Sequence, residues 1–548
     1  MSAAAIDLSG GLPPVSTRVM NLANFLTESA RRHPQDVGFV WGAQTWTWAE
    51  MEARSAAFAA ALQGKFGLKK GDRLLVQSAN NNQMFEAMFA CWRIGAVWVP
   101  ANFRQSPEDI AFLAQSSQAK GMLCEASFPE HAAACAGLGF TIGIGEGLGE
   151  DYETLVADHL GQRPPQAEVQ RDDPCWFFFT SGTTGRPKAA VLTHGQMAFV
   201  VTNHLCDLMP GTGPEDASIV VAPLSHGAGI HQLAQVAHGV KTILPAGAKF
   251  DPDEIWGLVA KWKVTNLFTV PTIVKLLVEH PSVHDHDHSS LRYMIYAGAP
   301  MYRADQVRAL EVLGPKLVQY FGLGEVTGNI TVLPPAHHTV DDAAMRIGSC
   351  GFARTGMQVQ IQDAEGNEVA PGETGEIAVI GPAVFAGYFD NPEANAKSFR
   401  GGWFLTGDLG HMDAEGFVYL TGRASDMYIS GGSNIYPREI EEKILLHPEI
   451  SEVAVLGMPD PVWGEIGVAV CVARGAGVAP EALLDWLGPK IARYKLPRHV
   501  VFWQEMPKSA YGKITKKMIR EELLARGDLP GYEPGHEPEP EPRKASAR

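Results

Sequence analysis

The chain has 548 residues, is 45% hydrophobic and 19% charged, and carries a formal net charge of −16. A chain of this size exceeds what one core can organise and implies roughly two to four globular domains. The acidic balance supplies no basic field for nucleic acid or anionic lipid, so an anionic small molecule has to be met by local lysines, backbone amides or a metal.

In chain order, the opening "MSAAAIDLSGGLPPVS" lacks a basic start followed by an apolar run, and no stretch of 18 apolar residues follows anywhere, which predicts a cytoplasmic protein without an integral membrane segment. Seven cysteines, an odd number without a CxxC pair, read as reduced intracellular thiols. From about residue 36 short β-rich runs alternate with helical ones, as in "DRLLVQSA", "NQMFEAMFACWRIG" and "AVWVPA". In "SPEDIAFLAQSS" Ser106 is placed to cap a helix with Pro107 at its first position. Such alternation predicts an α/β fold of parallel sheets covered by helices. Between about 346 and 421 the helical patterns stop and runs such as "MQVQIQDAEGNEV" and "TGEIAVIG" predict a small β subdomain. A second α+β pattern begins after "GRASDMYISGGSNIYP". The expected organisation is an extension over 1–20, a large domain over 21–422, a hinge at 423–426, a small mobile domain over 427–527 and a disordered Pro/Glu-rich tail over 528–548. The tract "HDHDH" at 284–288 could bind a metal by composition, yet its place between a helix and a strand is where a solvated loop is expected.

The most informative stretch is "FFFTSGTTGRPKAAVLTHGQ", residues 177–196. An apolar strand runs into Thr180, Ser181, Gly182, Thr183, Thr184 and Gly185, with Lys188 close behind. The glycines permit positive φ and close backbone approach, so successive N–H groups and hydroxyls can converge on one anion. At the carboxyl end of a strand in an α/β fold this reads as a phosphate cradle, the alternative being a plain surface loop.

With its glycines two residues apart and its lysine after Arg-Pro, the loop is not a Walker loop; "TSGTTGRPK" resembles the signature of the adenylate-forming superfamily, which includes AMP-forming acyl-CoA synthetases. Further motifs stand in that family's order: "PLSHGAG" at 223, "YAGAP" at 296, "QYFGLGE" at 319, "GWFLTGD" at 402, "YKLP" at 494 and "SAYGKI" at 509. The resemblance implies that a carboxylate attacks the α-phosphorus of ATP to give an acyl-adenylate and pyrophosphate, and that a thiol then displaces AMP. By the same resemblance, residues 180–185 and Lys188 hold the β- and γ-phosphates. Gly298, Ala299 and Pro300 form the adenine turn, and Tyr320, Phe321 and Gly322 its aromatic platform. Glu325, with Thr180, binds Mg²⁺; Asp408 takes the ribose, and Arg423 reaches the ribose or a phosphate. Ser430, Gly431 and Gly432 line the CoA pantetheine path, His226 gates the carboxylate, and Lys513 is the catalytic lysine that the small domain brings to the carboxylate and α-phosphate.

The chain departs from the family pattern at Gly324, where relatives carry a threonine that bonds the α-phosphate. On this reading Thr327 is a candidate substitute, and Gly324→Thr is expected to maintain or raise the adenylation rate. The small residues Gly227, Ala228 and Gly229, with Tyr296, Gly298 and Val326, are expected to leave room for an aromatic or short-to-medium monocarboxylate. The function expected is acyl-CoA ligation with ATP, Mg²⁺ and CoA by a monomer or homodimer. The alternatives are an enzyme that loads a separate carrier protein and a nucleotide-binding regulator without turnover.

Overall fold

A computed structural model describes residues 18–180, 186–247, 249–299, 301–423, 426–475, 477–507 and 515–528. The chain divides into two compact units, Met1–Leu420 and Thr421–Arg548, and the division falls inside the strand Phe417–Arg423.

The first unit contains two large sheets. In a seven-stranded sheet the parallel strands Val97–Pro100, Arg73–Gln77, Gly121–Glu125 and Thr141–Ile144 follow one another, and the antiparallel pair Pro174–Thr180 and Lys188–Thr193 forms one edge. A fourteen-stranded sheet is built around the parallel strands Lys241–Leu244, Ala217–Val220, Asn266–Thr269, Tyr293–Tyr296 and Leu317–Phe321. The helices behave as their sequences dictate. Ser106 and Thr193 each cap a helix through reciprocal bonds, with Asp109 and Gln196 three residues on, which satisfies amide groups that would otherwise lack partners. The main core joins Trp98, Trp176 and Phe178 of the first sheet to Phe268 and Tyr320 of the second through the helices His194–Asp207 and Gly227–Ala237.

In the region 346–421 the strands Ser349–Ala353, Gln358–Gln362, Gly375–Ile380 and Trp403–Met412 extend the large sheet on its antiparallel side. The region also holds a helix, Pro392–Ser398, capped by Asn391 with Pro392 at its first position.

The second unit holds a five-stranded sheet around the long antiparallel pair Ile450–Asp460 and Gly464–Ala473. Its helices Pro437–Ile444, Pro480–Leu487 and Lys516–Arg526 bury Ile440, Ile444, Leu483, Leu487, Ile519 and Leu523. Among the described residues no helix is long and apolar enough to cross a membrane.

Candidate active site

Alternation along Pro174–Thr180 sends Trp176 and Phe178 into one core and Phe177 and Phe179 into another. A strand buried on both faces fixes its own end, and Thr180 pairs with Lys188 across the base of the glycine-rich loop. Ser181, Gly182, Thr183, Thr184 and Gly185 themselves lie outside the described residues, as do Pro300 and Lys513.

Beside that base lies a carboxylate. Glu325, 5% exposed, sits in a 3₁₀ turn over Gly324–Val326. Its Oε1 accepts a hydrogen bond of 2.8 Å from the Thr180 hydroxyl and another of 2.8 Å from the Tyr388 phenol. Its backbone carbonyl accepts from the Phe385 amide at 2.8 Å. Burial, then the Glu325 charge, hold the Tyr388 proton on well above the usual phenol range, so this phenol acts as a donor. Lys188 Nζ stands 5.1 Å from the Tyr388 ring centroid. The structure therefore brings Thr180, Lys188 and Glu325 together and adds Tyr388, which the sequence reading missed. The available signal was an aromatic-rich "VFAGYF" ahead of a capped helix, but only the bridge between Ala190 and Tyr388 reveals its place.

Gly324 has a structural reason. A Cβ there would meet the Phe178 ring at 2.7 Å and Thr180 Cγ2 at 2.8 Å. The large ring at 178 occupies the space a side chain at 324 would need, so Gly324→Thr meets a packing cost that the expectation of a maintained or raised adenylation rate left out. Gly322 is likewise required, since its Cβ would lie 2.5 Å from the Gly328 backbone. Thr327, the candidate substitute, bonds within its own turn. It is buried with φ +51, its hydroxyl donates to the Val326 carbonyl at 2.6 Å, and it accepts from Asn329 Nδ2 at 2.9 Å.

His226 stands at the N-cap position of the helix Gly227–Ala237 without a side-chain capping bond, with its ring centroid 4.9 Å from that of Phe178 and its Nδ1 3.2 Å from Ser225 Oγ. Gly227 and Gly229 do not leave the expected room. A Cβ at 227 would lie 2.8 Å from the Phe268 ring, and one at 229 would lie 2.1 Å from the Leu224 carbonyl oxygen. Tyr296 is also misassigned as pocket lining, because it is fully buried on the far side of the sheet, with its hydroxyl 3.1 Å from His338 Nε2. Val326 is fully buried in the main core.

The remaining candidates are spread along the chain. Gly298, with φ +83, and Ala299 form an exposed turn after Tyr293–Tyr296. Neighbours on one strand face opposite ways, and Tyr320 is the buried one, stacked on Phe268 at 5.6 Å, while Phe321 is partly exposed. Asp408 is 7% exposed, next to Gly407 with φ +74, and its amide donates to Thr406 Oγ1 at 3.1 Å. In the second unit Arg423 ends its strand with an exposed side chain. Ser430 pairs with Ser433 across a turn in which Gly431 and Gly432 have φ +56 and +81; a two-residue hairpin turn with both central φ values positive favours glycine at each. His286 of the "HDHDH" tract bonds Asp253 Oδ1 at 2.9 Å, and among the described residues no group of metal-ligating side chains gathers there or elsewhere.

Comparison with known proteins places this arrangement in context. The model of the AMP-binding enzyme family matches residues 26–389, and that of the AMP-binding enzyme C-terminal domain matches residues 439–513. A feruloyl-CoA synthase of Amycolatopsis sp is 36% identical, with 92% of this chain and 99% of that protein covered. An indoleacetate–CoA ligase of Aromatoleum aromaticum is 32% identical, with coverage of 92% and 99%. The solved structure of o-succinylbenzoate CoA synthetase from Bacillus subtilis, in complex with its acyl-adenylate intermediate, matches with a TM-score of 0.82 at 28% identity, over 92% of this chain and 98% of that one.

Proposed function

This chain belongs to the AMP-binding enzyme family of adenylate-forming proteins, and from that membership we propose that it is an AMP-forming ligase that joins a carboxylic acid, preferably aromatic, to CoA. The observation that supports the reading best is the Thr180–Glu325–Tyr388 cluster at the base of the glycine-rich loop. Residues 180–185 and Lys188 hold the ATP phosphates, with donors preorganised where charge develops as the carboxylate attacks the α-phosphorus. Gly298 to Pro300 and Phe321 take the adenine, Asp408 the ribose and Arg423 the ribose or a phosphate.

Mg²⁺ fits the donor set. Both side-chain hydrogen bonds to Glu325 among the described residues end on Oε1, which leaves Oε2 for a hard cation. Glu325 and Thr180 would hold the ion, which neutralises phosphate charge when bound. Lys513 brings its charge to the carboxylate and α-phosphate for adenylation only, and Ser430 to Gly432 pass the pantetheine thiol in the second step. The small domain from about 427 turns on residues 423–426 between the two. An aromatic substrate is favoured because the feruloyl and indoleacetate ligases cover nearly all of their length with this chain. The enzyme works in the cytoplasm as a monomer or homodimer, in keeping with seven free cysteines.

The test is mass spectrometry of products from a panel of aromatic and aliphatic acids with ATP, Mg²⁺ and CoA. Acyl-CoA from the aromatic acids is the expected result. Adenylates that form without thioester, and transfer only to a carrier protein, would replace this reading with carrier loading.

A further inference from the structure

Tyr320 is 6% exposed, and its ring is held on three sides. Phe268 stacks on it at 5.6 Å, the His204 ring stands 6.0 Å away, and the Arg354 guanidinium carbon lies 5.8 Å from its centroid. Its hydroxyl has no hydrogen-bond partner among the described residues, and it lies 3.6 Å from the position a Cβ would take at Gly227.

Gly227 faces this hydroxyl, His226 precedes Gly227, and the His226 ring packs on Phe178, the ring that fills the space beside Gly324. If His226 meets the reacting carboxylate, the Tyr320 hydroxyl stands near the acyl group, one residue further along the same loop. Taking Proposed function as its premise, the geometry points to Tyr320 as a specificity residue that donates a hydrogen bond to a neutral oxygen carried by the acyl group away from its reacting carboxylate.

The surroundings select a neutral oxygen. Arg354 is 1% exposed, and its charge is opposed by Asp207, whose Oδ2 lies 3.6 Å from Nε. Burial lowers this guanidinium only to about 10, so it stays charged at neutral pH with the Asp207 carboxyl beside it. Burial drives His204 well below its usual range, with Arg354 adding to the effect, so that ring is neutral too. No net positive charge backs the site, and a second carboxylate buried there would stand uncompensated. A hydroxyl, ether or carbonyl oxygen accepts from the phenol without that cost.

The experiment uses the purified full chain with ATP, Mg²⁺ and CoA, and follows AMP release from cinnamate, 4-hydroxycinnamate and 4-carboxycinnamate, and from benzoate, 4-hydroxybenzoate and 4-carboxybenzoate. At one of the two lengths the hydroxylated acid should exceed its unsubstituted partner in kcat/KM by about 10- to 100-fold, with the carboxylated acid lowest. Tyr320→Phe, which keeps the ring and its stack, should cut that preference about tenfold. Thermal melting of the variant checks its fold, and the wild-type ratios stand whether or not it is stable. Equal kcat/KM for the hydroxylated and unsubstituted acids at both lengths overturns the inference, as does a carboxylated acid ranking first. A proportional loss on every acid in Tyr320→Phe also overturns it, since that would place the hydroxyl on the shared carboxylate. These outcomes leave the ligase reading intact. Absence of both AMP release and ATP–pyrophosphate exchange with all six acids would overturn that reading and this inference together.

Discussion

Two buried polar groups, only a few residues apart in sequence, are treated in opposite ways. Glu325 accepts from Thr180 and Tyr388, and its own carbonyl accepts from Phe385. Tyr320, five positions earlier, has a hydroxyl with no hydrogen-bond partner among the described residues, and its ring stands 5.8 Å from the Arg354 guanidinium, whose Nε and Nη1 are buried without hydrogen-bond partners among those residues. A closed set of bonds fixes a carboxylate before any ligand arrives, which is what electrostatic preorganisation requires. An open donor instead is left for a matching ligand atom to meet. The difference separates a part of the site common to any acid from a part that distinguishes one acid from another.

Removing the carboxylate breaks the comparison most severely. Glu325→Ala strands two hydroxyls, both on residues with partial exposure, and should cost about 1–3 kcal/mol of stability in denaturant melts. Adenylation should fall by about 10²–10³, measured as pyrophosphate release. Survival of most activity would show the cluster to be structural.

Gly324→Thr asks whether packing or chemistry chose the glycine. The single variant should lose about 1–3 kcal/mol through overpacking against Phe178, and pairing it with Phe178→Leu should recover most of that loss. A cycle in which the two changes simply add would contradict the account. A smaller effect is expected for Tyr388→Phe, which removes one donor to a charged acceptor and should cost about 1.5 kcal/mol, seen as a lower kcat with its Mg²⁺ dependence weakened.

Acid sharpens the comparison from the other side. His204 is held well below its usual range and His231 near 4, in both cases by burial first. A folded-state pKa below the unfolded value means that the unfolded chain binds more protons as pH falls from about 6.5 towards 4. Stability contributed by these neutral rings is thus full above about 6.5 and declines below it, by up to about 1.4 kcal/mol per pH unit for each ring. A melting temperature flat between pH 7 and 5 would contradict their burial.

Much of this was legible in the sequence, for physical reasons. Glycine and hydroxyl spacing after an apolar strand marks a strand-end loop, and Ser106, Pro107 and Thr193 mark helix starts through local hydrogen bonding. What escaped depends on partners distant in sequence. Tyr388 meets Glu325 only because it bridges Ala190, and Gly324 makes sense only beside Phe178. The glycines at 227 and 229 look like open space when read alone, yet Phe268 and the Leu224 carbonyl fill it. Motif position put Tyr296 in the acyl pocket and Tyr320 on the adenine platform, whereas strand alternation decides which way each points.

On the proposed mechanism this enzyme activates an acid as an adenylate before CoA takes part. A rapid-quench experiment uses enzyme, ATP, Mg²⁺ and a turned-over aromatic acid, first without CoA and then with it. The expected result is about one equivalent of pyrophosphate per active site with enzyme-bound acyl-AMP before CoA is added, followed by release of AMP and acyl-CoA together. Release of ADP, or no pyrophosphate until CoA is present, would contradict it.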